Sequence, residues 1–438
     1  MLYGGLAKGT YFLAFVEALE RFSYYGMRGL LVLFVTSPVA SGGLGWADTY
    51  ALSLYGYYTA AVWMAPLAGG WIADRYLGSR ACVVIGGWVM VAGLALLTGS
   101  SAWQSSAAQS GGVTSGSHRL VVASLTVLVS GVGLLKGNIT VMLGRLYSRT
   151  DPRREDAFSL YYVAINLGVV LSALIAGTLG ERLGWTYGFA ACALILLCGM
   201  TLFTIRQRIM LSDDRDDDQQ LQHDPAITPA GAMTFVGVLL IFSTLFFAAY
   251  EQSGGLINLL MYRQADRMAG DFEIPATWFL ASTGIFCIMI GPFVPGMFER
   301  LRARGIGTGT VERFALGLLL TSAAYGVFAI GLARAGGGQF TVVWPLAFYL
   351  ILTFAELSLA PAGFAMATRY APPQAAGRFV GLWLLSIAAG SVLGGQLGAI
   401  AILMPAGEFT AVLSACVGVA ALVLFRIRKN LGRLVAGQ

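Results

Sequence analysis

The sequence predicts an all-α membrane protein with about twelve spanning helices arranged as two sets of six. Three observations carry that expectation. Of the 438 residues, 57% are hydrophobic and only 11% charged, with a mean hydropathy of +0.72, which leaves too little polar surface for a water-soluble globule. Apolar runs of the length a bilayer demands, about 20 residues, recur along the chain, as in "ACVVIGGWVMVAGLALL" and "AVLSACVGVAALVLF". The most polar stretch, "RQRIMLSDDRDDDQQLQHDPAITPAG" at 206–231, falls near the middle. It divides the chain into a bundle over 1–206, an acidic cytoplasmic linker over 207–229 and a second bundle over 230–438.

In order, the expected spans are 10–37, 47–73, 80–99, 119–145, 157–180 and 186–206 in the first half. The second half gives 230–260, 276–298, 312–334, 341–368, 376–402 and 408–427. The first span contains acids and lacks a small-residue cleavage site, so it is expected to stay in the mature protein. Basic residues crowd alternate connections: Arg75 and Arg80; Arg145, Arg149, Arg153 and Arg154; Arg206 and Arg208; Arg300, Arg302 and Arg304; Arg369 and Arg378; Arg426, Arg428, Lys429 and Arg433. Positive-inside logic makes those connections cytoplasmic and puts both termini on the same side. The net charge of +6 is therefore a matter of topology, and no nucleic-acid partner is expected.

The five cysteines, Cys82, Cys192, Cys198, Cys287 and Cys416, all fall in spans without metal-ligand spacing, so they read as small buried hydrophobes and no metal or organic cofactor is expected. Both histidines, His118 and His223, sit in connections. Proton carriage within the membrane would then fall to carboxylates.

The stretch "VEALERFSYYGMRGLL" has the length of a membrane helix yet carries Glu17, Glu20, Arg21 and Arg28. A charge at the centre of a span costs about 2.5–3.5 kcal/mol on insertion scales. At 100° per residue, Glu17, Glu20, Arg21, Tyr24, Tyr25 and Arg28 share one broad face, which must line a cavity or another helix. Other spans add Lys136, Glu251 and Glu356. Four acids against three bases leave one carboxylate in excess, so the set can take up and release a proton while staying near neutrality. A static salt-bridge network locking helices together is the competing reading; charges in both halves with glycines beside them favour the proton pathway.

The motifs now point to a family. "GGWIADRYLGSR" at 69–80 resembles the signature loop between the second and third helices of the major facilitator superfamily, whose substrate site lies near the midplane between its halves. In it Asp74, Arg75 and Arg80 are expected to pair. More specifically, the chain resembles the proton-dependent oligopeptide transporter (POT) family: "EALERFSYY" matches its ExxERFxYY motif and "FSLYYVAINLG" at 158–168 its fifth-helix signature. "KGNI" from Lys136, "EQSG" from Glu251, "ELSLAPAG" from Glu356 and "GLW" from Gly381 extend the likeness through nearly the whole chain.

The resemblance implies a proton-coupled symporter importing di- and tripeptides by alternating access, with protons as the coupling ion. It implies that Glu17, Glu20, Arg21 and Glu251 couple protons, and that Arg21 and Lys136 bind the peptide carboxylate. Glu356, helped by Asn166, would meet the amino group. Tyr25, Tyr162 and Thr283 would line the site, while Arg28 with Glu251 and Lys136 with Glu356 would form gate salt bridges; Trp63, Trp383, Phe247 and Phe286 are candidates for side-chain pockets, although aromatics in spans more often serve packing or anchor at the interface. Pro361 and Gly363 are candidates for breaking the tenth helix beside Glu356.

The pattern also departs from the family's. The extra helix pair usual in bacterial members is absent, because 207–229 is too short and too acidic for it. Thr283 stands where the family has an eighth-helix Asn, Ala360 for the Ser after the tenth-helix Glu, Trp63 for a second-helix Tyr and Phe247 for a seventh-helix Trp. The carboxylate end thus looks intact and the amino end altered, which keeps open a different peptide-like or anionic cargo. A low-flux sensing receptor is the less favoured alternative, since no signalling domain is apparent. An enzyme is disfavoured because no nucleophile–base pair or phosphate loop stands out. The expected setting is the inner membrane, as a monomer.

Overall fold

The computed structural model describes residues 5–109, 115–148, 151–211, 231–370 and 376–435. Arg149, His223 and the expected acidic linker from 212 onward lie outside the described residues. Helix α1 covers Lys8–Thr36. Its 29 residues give roughly 44 Å at 1.5 Å per residue, more than the ~30 Å hydrocarbon core. It ends where Pro38 pushes Ser37 into an extended conformation.

A single 62-residue helical stretch then holds α2 (Asp48–Ile72), a π turn (Ala73–Leu77) and α3 (Gly78–Gln109). It is broken at Gly78, whose φ of 75° lies in the region open to glycine. The signature loop is thus one wide turn. In it Arg80 donates to the Leu211 carbonyl; Asp74 and Arg75, which the sequence expects to pair with it, stand exposed.

Next come α4 (Ser115–Arg145), α5 (Arg153–Ser172), a π turn (Ala173–Gly177), α6 (Thr178–Leu183) and α7 (Trp185–Met210). Beyond the linker lie α8 (Ala232–Tyr250), a 3₁₀ turn (Glu251–Ser253) and α9 (Leu256–Gln264), then α10 (Trp278–Ile290), a 3₁₀ turn (Gly291–Phe293) and α11 (Val294–Ala303). The chain closes with α12 (Thr310–Ala335), α13 (Val343–Arg369), α14 (Ala376–Ala401) and α15 (Ala406–Val435).

Ten stretches among the described residues are long and apolar enough to cross a membrane. One of them contains both α2 and α3, and α1 stays outside that set because of its own charges. The expectation of an all-helical chain needs one small amendment. Strands β1 (Ala265–Asp266) and β4 (Phe340–Thr341) pair in parallel, and β2 (Met268–Ala269) with β3 (Phe272–Glu273) form a hairpin closed by an Arg267–Glu273 ion pair of 2.6 Å. The span expected to break at Pro361 does not: α13 runs through it, since an interior proline removes a single backbone donor.

The described residues form two compact units, one within 1–47, 64–218 and 274–285, the other within 48–63, 219–273 and 286–438. In the first, α1 packs on α5 and α7 and α3 packs on α4, around Leu13, Met27, Phe34, Phe189 and Phe203. In the second, α12 packs on α13 and α15 and α14 on α8, around Leu318, Tyr325, Phe328, Phe348 and Leu359. Lipid tails are as apolar as these side chains, so close packing rather than escape from water holds the helices together.

Candidate functional site

In the first unit α1 presents its charged face to the protein interior. Arg21 Nε lies 2.9 Å from Glu17 Oε1 and 2.5 Å from Glu20 Oε2. All three residues are at most 3% exposed. Two carboxylates therefore share one guanidinium in a place where Coulomb forces are weakly screened. The Arg21 Nη2, Glu17 Oε2 and Glu20 Oε1 atoms are buried without a hydrogen-bond partner. The cluster consequently holds unused donor and acceptor capacity.

The fifth-helix signature explains how α5 reaches this cluster. A Cβ built on Gly168 would fall 2.5 Å from the Ala18 carbonyl and 2.8 Å from Arg21 Cβ. Only a residue without a side chain lets the two helices touch there. Two turns earlier, buried Tyr161 comes within hydrogen-bonding reach of Glu17 and lies 3.4 Å from the Thr140 hydroxyl. Tyr24 puts its ring 5.6 Å from the Arg21 guanidinium and packs edge-on against Tyr25. Half-buried Lys136 of α4 lies in the electrostatic field of Arg21, Glu20, Glu17 and Arg28. Arg28 and Tyr25 are half-buried as well.

Tyr162 and Asn166 share a face of α5, as their spacing predicts. Asn166 is buried and donates to the Tyr162 carbonyl at 2.9 Å, whereas Tyr162 is 42% exposed. Thr283 on α10 is half-buried, as is Phe286.

The second unit carries the two remaining candidate site carboxylates, Glu251 and Glu356. Glu356 on α13 is half-buried, and its Oε2 accepts a 2.7 Å hydrogen bond from Tyr250. Glu251 is buried in the 3₁₀ turn where the helix from Ala232 breaks. Backbone carbonyls released by such a break must be satisfied inside the membrane. Gln252 donates to the carbonyls of Ala248 at 3.1 Å and Gly394 at 2.6 Å, Tyr325 to that of Ala249 at 2.6 Å, and Tyr349 to that of Ser253 at 3.0 Å. The "EQSG" string thus fixes the backbone that carries Glu251.

Trp383 is 1% exposed and packs edge-on against Phe247 and Phe314, with ring centres 6.0 and 6.2 Å away. Gly363 accepts its ring where any Cβ would collide at 2.0 Å. Gly363 thus serves packing, and Trp383 with Phe247 belongs to a closed aromatic core. Trp63 at the end of the second unit's α2 segment is half-buried, as is Ala360.

Sequence reading does not single out Tyr161, Thr140, Tyr250 or Gln252. Tyr161 and Gln252 lie inside the quoted motifs, and Tyr250 immediately precedes one, so that adjacency was the available signal.

Comparison with known proteins agrees with this geometry. The family model described as "POT family" matches residues 80–222 and 218–410. The chain is 25% identical to the uncharacterized transporter YclF of Bacillus subtilis over 90% of its length and 88% of the relative's. It is 26% identical to the peptide transporter YePEPT of Yersinia enterocolitica, covering 87% and 85%, and 25% identical to the di-/tripeptide transporter of Lactococcus lactis, covering 90% and 89%. A crystal structure of a peptide transporter POT in complex with sulfate superposes with a TM-score of 0.87 at 26% identity, over 99% of this chain and 97% of that one. The fold is therefore that of the POT transporters of the major facilitator superfamily. This multi-pass membrane protein, with its charged first helix locked by Gly168 against the fifth-helix signature, belongs to the POT family of transporters.

Proposed function

We propose that the chain is a proton-coupled symporter that imports di- and tripeptides by alternating access. One observation carries this reading: the buried Glu17–Arg21–Glu20 cluster, whose guanidinium is shared by two carboxylates and still has a buried donor to offer. Protonation of Glu20 would weaken its hold on Arg21 and release the guanidinium for a peptide carboxylate, with Lys136 as the second cation. Uptake of the proton and of the anionic end of the substrate would then be linked through a single side chain.

Glu356 would receive the substrate's amino group, assisted by Asn166, with Tyr25, Tyr162, Thr283 and Trp63 contributing walls and Trp383 supporting them only from its aromatic core. Glu251 is a second coupling carboxylate. Its pairing with Arg28, like that of Lys136 with Glu356, would act as a gate that opens on protonation or substrate binding. The protein works as a monomer in an inner membrane with both termini cytoplasmic, the orientation its basic connections favour.

A second reading keeps the mechanism and changes the cargo to another peptide-like or anionic molecule. The substitutions at Thr283, Ala360, Trp63 and Phe247 favour it. A solved POT family transporter sharing the fold, at 21% identity, holds 5-aminolevulinic acid.

The test is uptake of labelled dialanine into proteoliposomes under an imposed inward proton gradient and negative-inside potential, for wild type and Glu20→Gln. Wild type is expected to accumulate the peptide above equilibrium, and the variant only to equilibrate it. Equal accumulation by both would remove Glu20 from coupling. Absence of dialanine uptake alongside accumulation of labelled 5-aminolevulinic acid would transfer the argument to the second cargo.

A further inference from the structure

At the basic end of the second unit, α11, the turn after it, α12 and α15 enclose a groove of about 410 Å³. Its walls are apolar, among them Phe298, Leu301, Leu319, Leu422 and Phe425. Three arginines at its rim are each fixed against a groove-lining residue. Arg313 lies with its guanidinium 4.2 Å from the Phe298 ring centre and donates from Nε to the Thr308 carbonyl at 3.2 Å. Arg302 donates from Nε to the Thr308 hydroxyl at 3.2 Å. Arg428 sits 3.7 Å over Phe425 and donates to its carbonyl at 2.6 Å.

Guanidinium planes held this way keep several donors free for an anion. Arg302 and Arg313 are close enough to feel one another's charge, and like charges do not converge without cause. The same end carries Arg300, Arg304, Arg426, Lys429 and Arg433, all exposed. Among the described residues its acids are Glu299 and Glu312, and the Glu312 carboxylate lies against Gly307 and Gly309 at the start of its own helix, where the helix N-terminus partly offsets its charge.

We infer that this groove is a binding site for an anionic phospholipid, with an acyl chain along the Leu319–Leu422 wall and the phosphate among Arg302, Arg313 and Arg428. The groove faces both ways chemically: hydrocarbon outside the rim would solvate neither the arginines nor a phosphate. A lipid supplies both halves at once, and basic pockets between helices on the cytoplasmic side suit anionic headgroups. A soluble phosphate would leave the apolar walls unused.

The test uses the purified full-length protein, offered phosphatidylglycerol and phosphatidylcholine of matched chains and analysed by native mass spectrometry for retained lipid. Wild type is expected to retain phosphatidylglycerol preferentially. Arg302→Gln, Arg313→Gln and Arg428→Gln are each expected to lower that preference roughly fivefold. Leu422→Trp keeps every charge on an exposed position and fills the groove, so it is expected to reduce retention while monodispersity and helical content stay unchanged. Glycerol phosphate, a headgroup without chains, should not compete. Equal retention of the two lipids, indifference to Leu422→Trp, or full competition by glycerol phosphate would each overturn the assignment.

Discussion

The two units treat their buried charges differently. Of the seven span charges singled out as candidate site residues, the first unit contains Glu17, Glu20, Arg21, Arg28 and Lys136, two acids against three bases, while the second contains Glu251 and Glu356 and none of those bases. The first unit's acids each pair with one guanidinium less than 3 Å away. In the second, Glu356 accepts a hydrogen bond from the phenol of Tyr250. A charge-on-charge cluster is electrostatically stiff, because removing one member exposes the rest. A single hydrogen bond from a phenol is a modest interaction that can be exchanged for another at small cost.

The largest expected effect comes from breaking the stiff side. Arg21→Ala would leave two carboxylates buried and facing each other without the guanidinium they share, a loss on the order of 3–5 kcal/mol. Thermal unfolding of the purified protein in detergent should show a large drop in Tm. Adding Glu17→Gln to that variant should restore part of it, since one orphaned charge disappears. If Arg21→Ala melted with wild type, the cluster would not be closed in the resting protein.

The next test sharpens the comparison at the backbone. Gly168→Leu would drive a side chain into a space where even a Cβ lies 2.5 Å from the Ala18 carbonyl. Overpacking of this kind typically costs about 1–3 kcal/mol. It should part α5 from α1 and carry Tyr161 away from Glu17. Unchanged stability would mean that the helices can re-seat, and the fifth-helix signature would then need another explanation.

How much of this was legible in the sequence follows from the range of each interaction. Span positions came out close to the helices because hydropathy is summed residue by residue along the chain. The charged face of α1 was legible because 100° periodicity is local. The interruptions at Glu251–Ser253 and Gly291–Phe293 carried local signals, the polar "EQSGG" and the "GP" pair, but the tertiary donors that sustain the first, such as Tyr325 and Gln252, were not legible. Motif likeness brought Tyr162 forward, whereas the structure buries Tyr161 beside Glu17 and leaves Tyr162 exposed. Adjacent helix positions point about 100° apart, so a register difference of one residue decides which ring meets the cluster. The Tyr250–Glu356 bond joins residues 106 positions apart. No local rule could supply it.

That bond provides the smallest and most selective test. Tyr250→Phe deletes one hydroxyl and keeps the ring that stacks against Phe246 at 5.9 Å. Loss of a hydrogen bond to a charged group is worth about 1.5–3 kcal/mol when the acceptor stays dry, and less when water replaces the donor. Glu356 is half-buried, so the lower end is expected and Tm should fall by only a few degrees. The informative readout is substrate concentration dependence. If the phenol holds Glu356 in position for an incoming ammonium group, KM for dialanine should rise several-fold with kcat nearly unchanged, while Arg21 variants lose accumulation outright. A fall in kcat at constant KM would instead mean that Tyr250 and Glu356 act together as a step of the conformational cycle, and the second unit would be no more adaptable than the first.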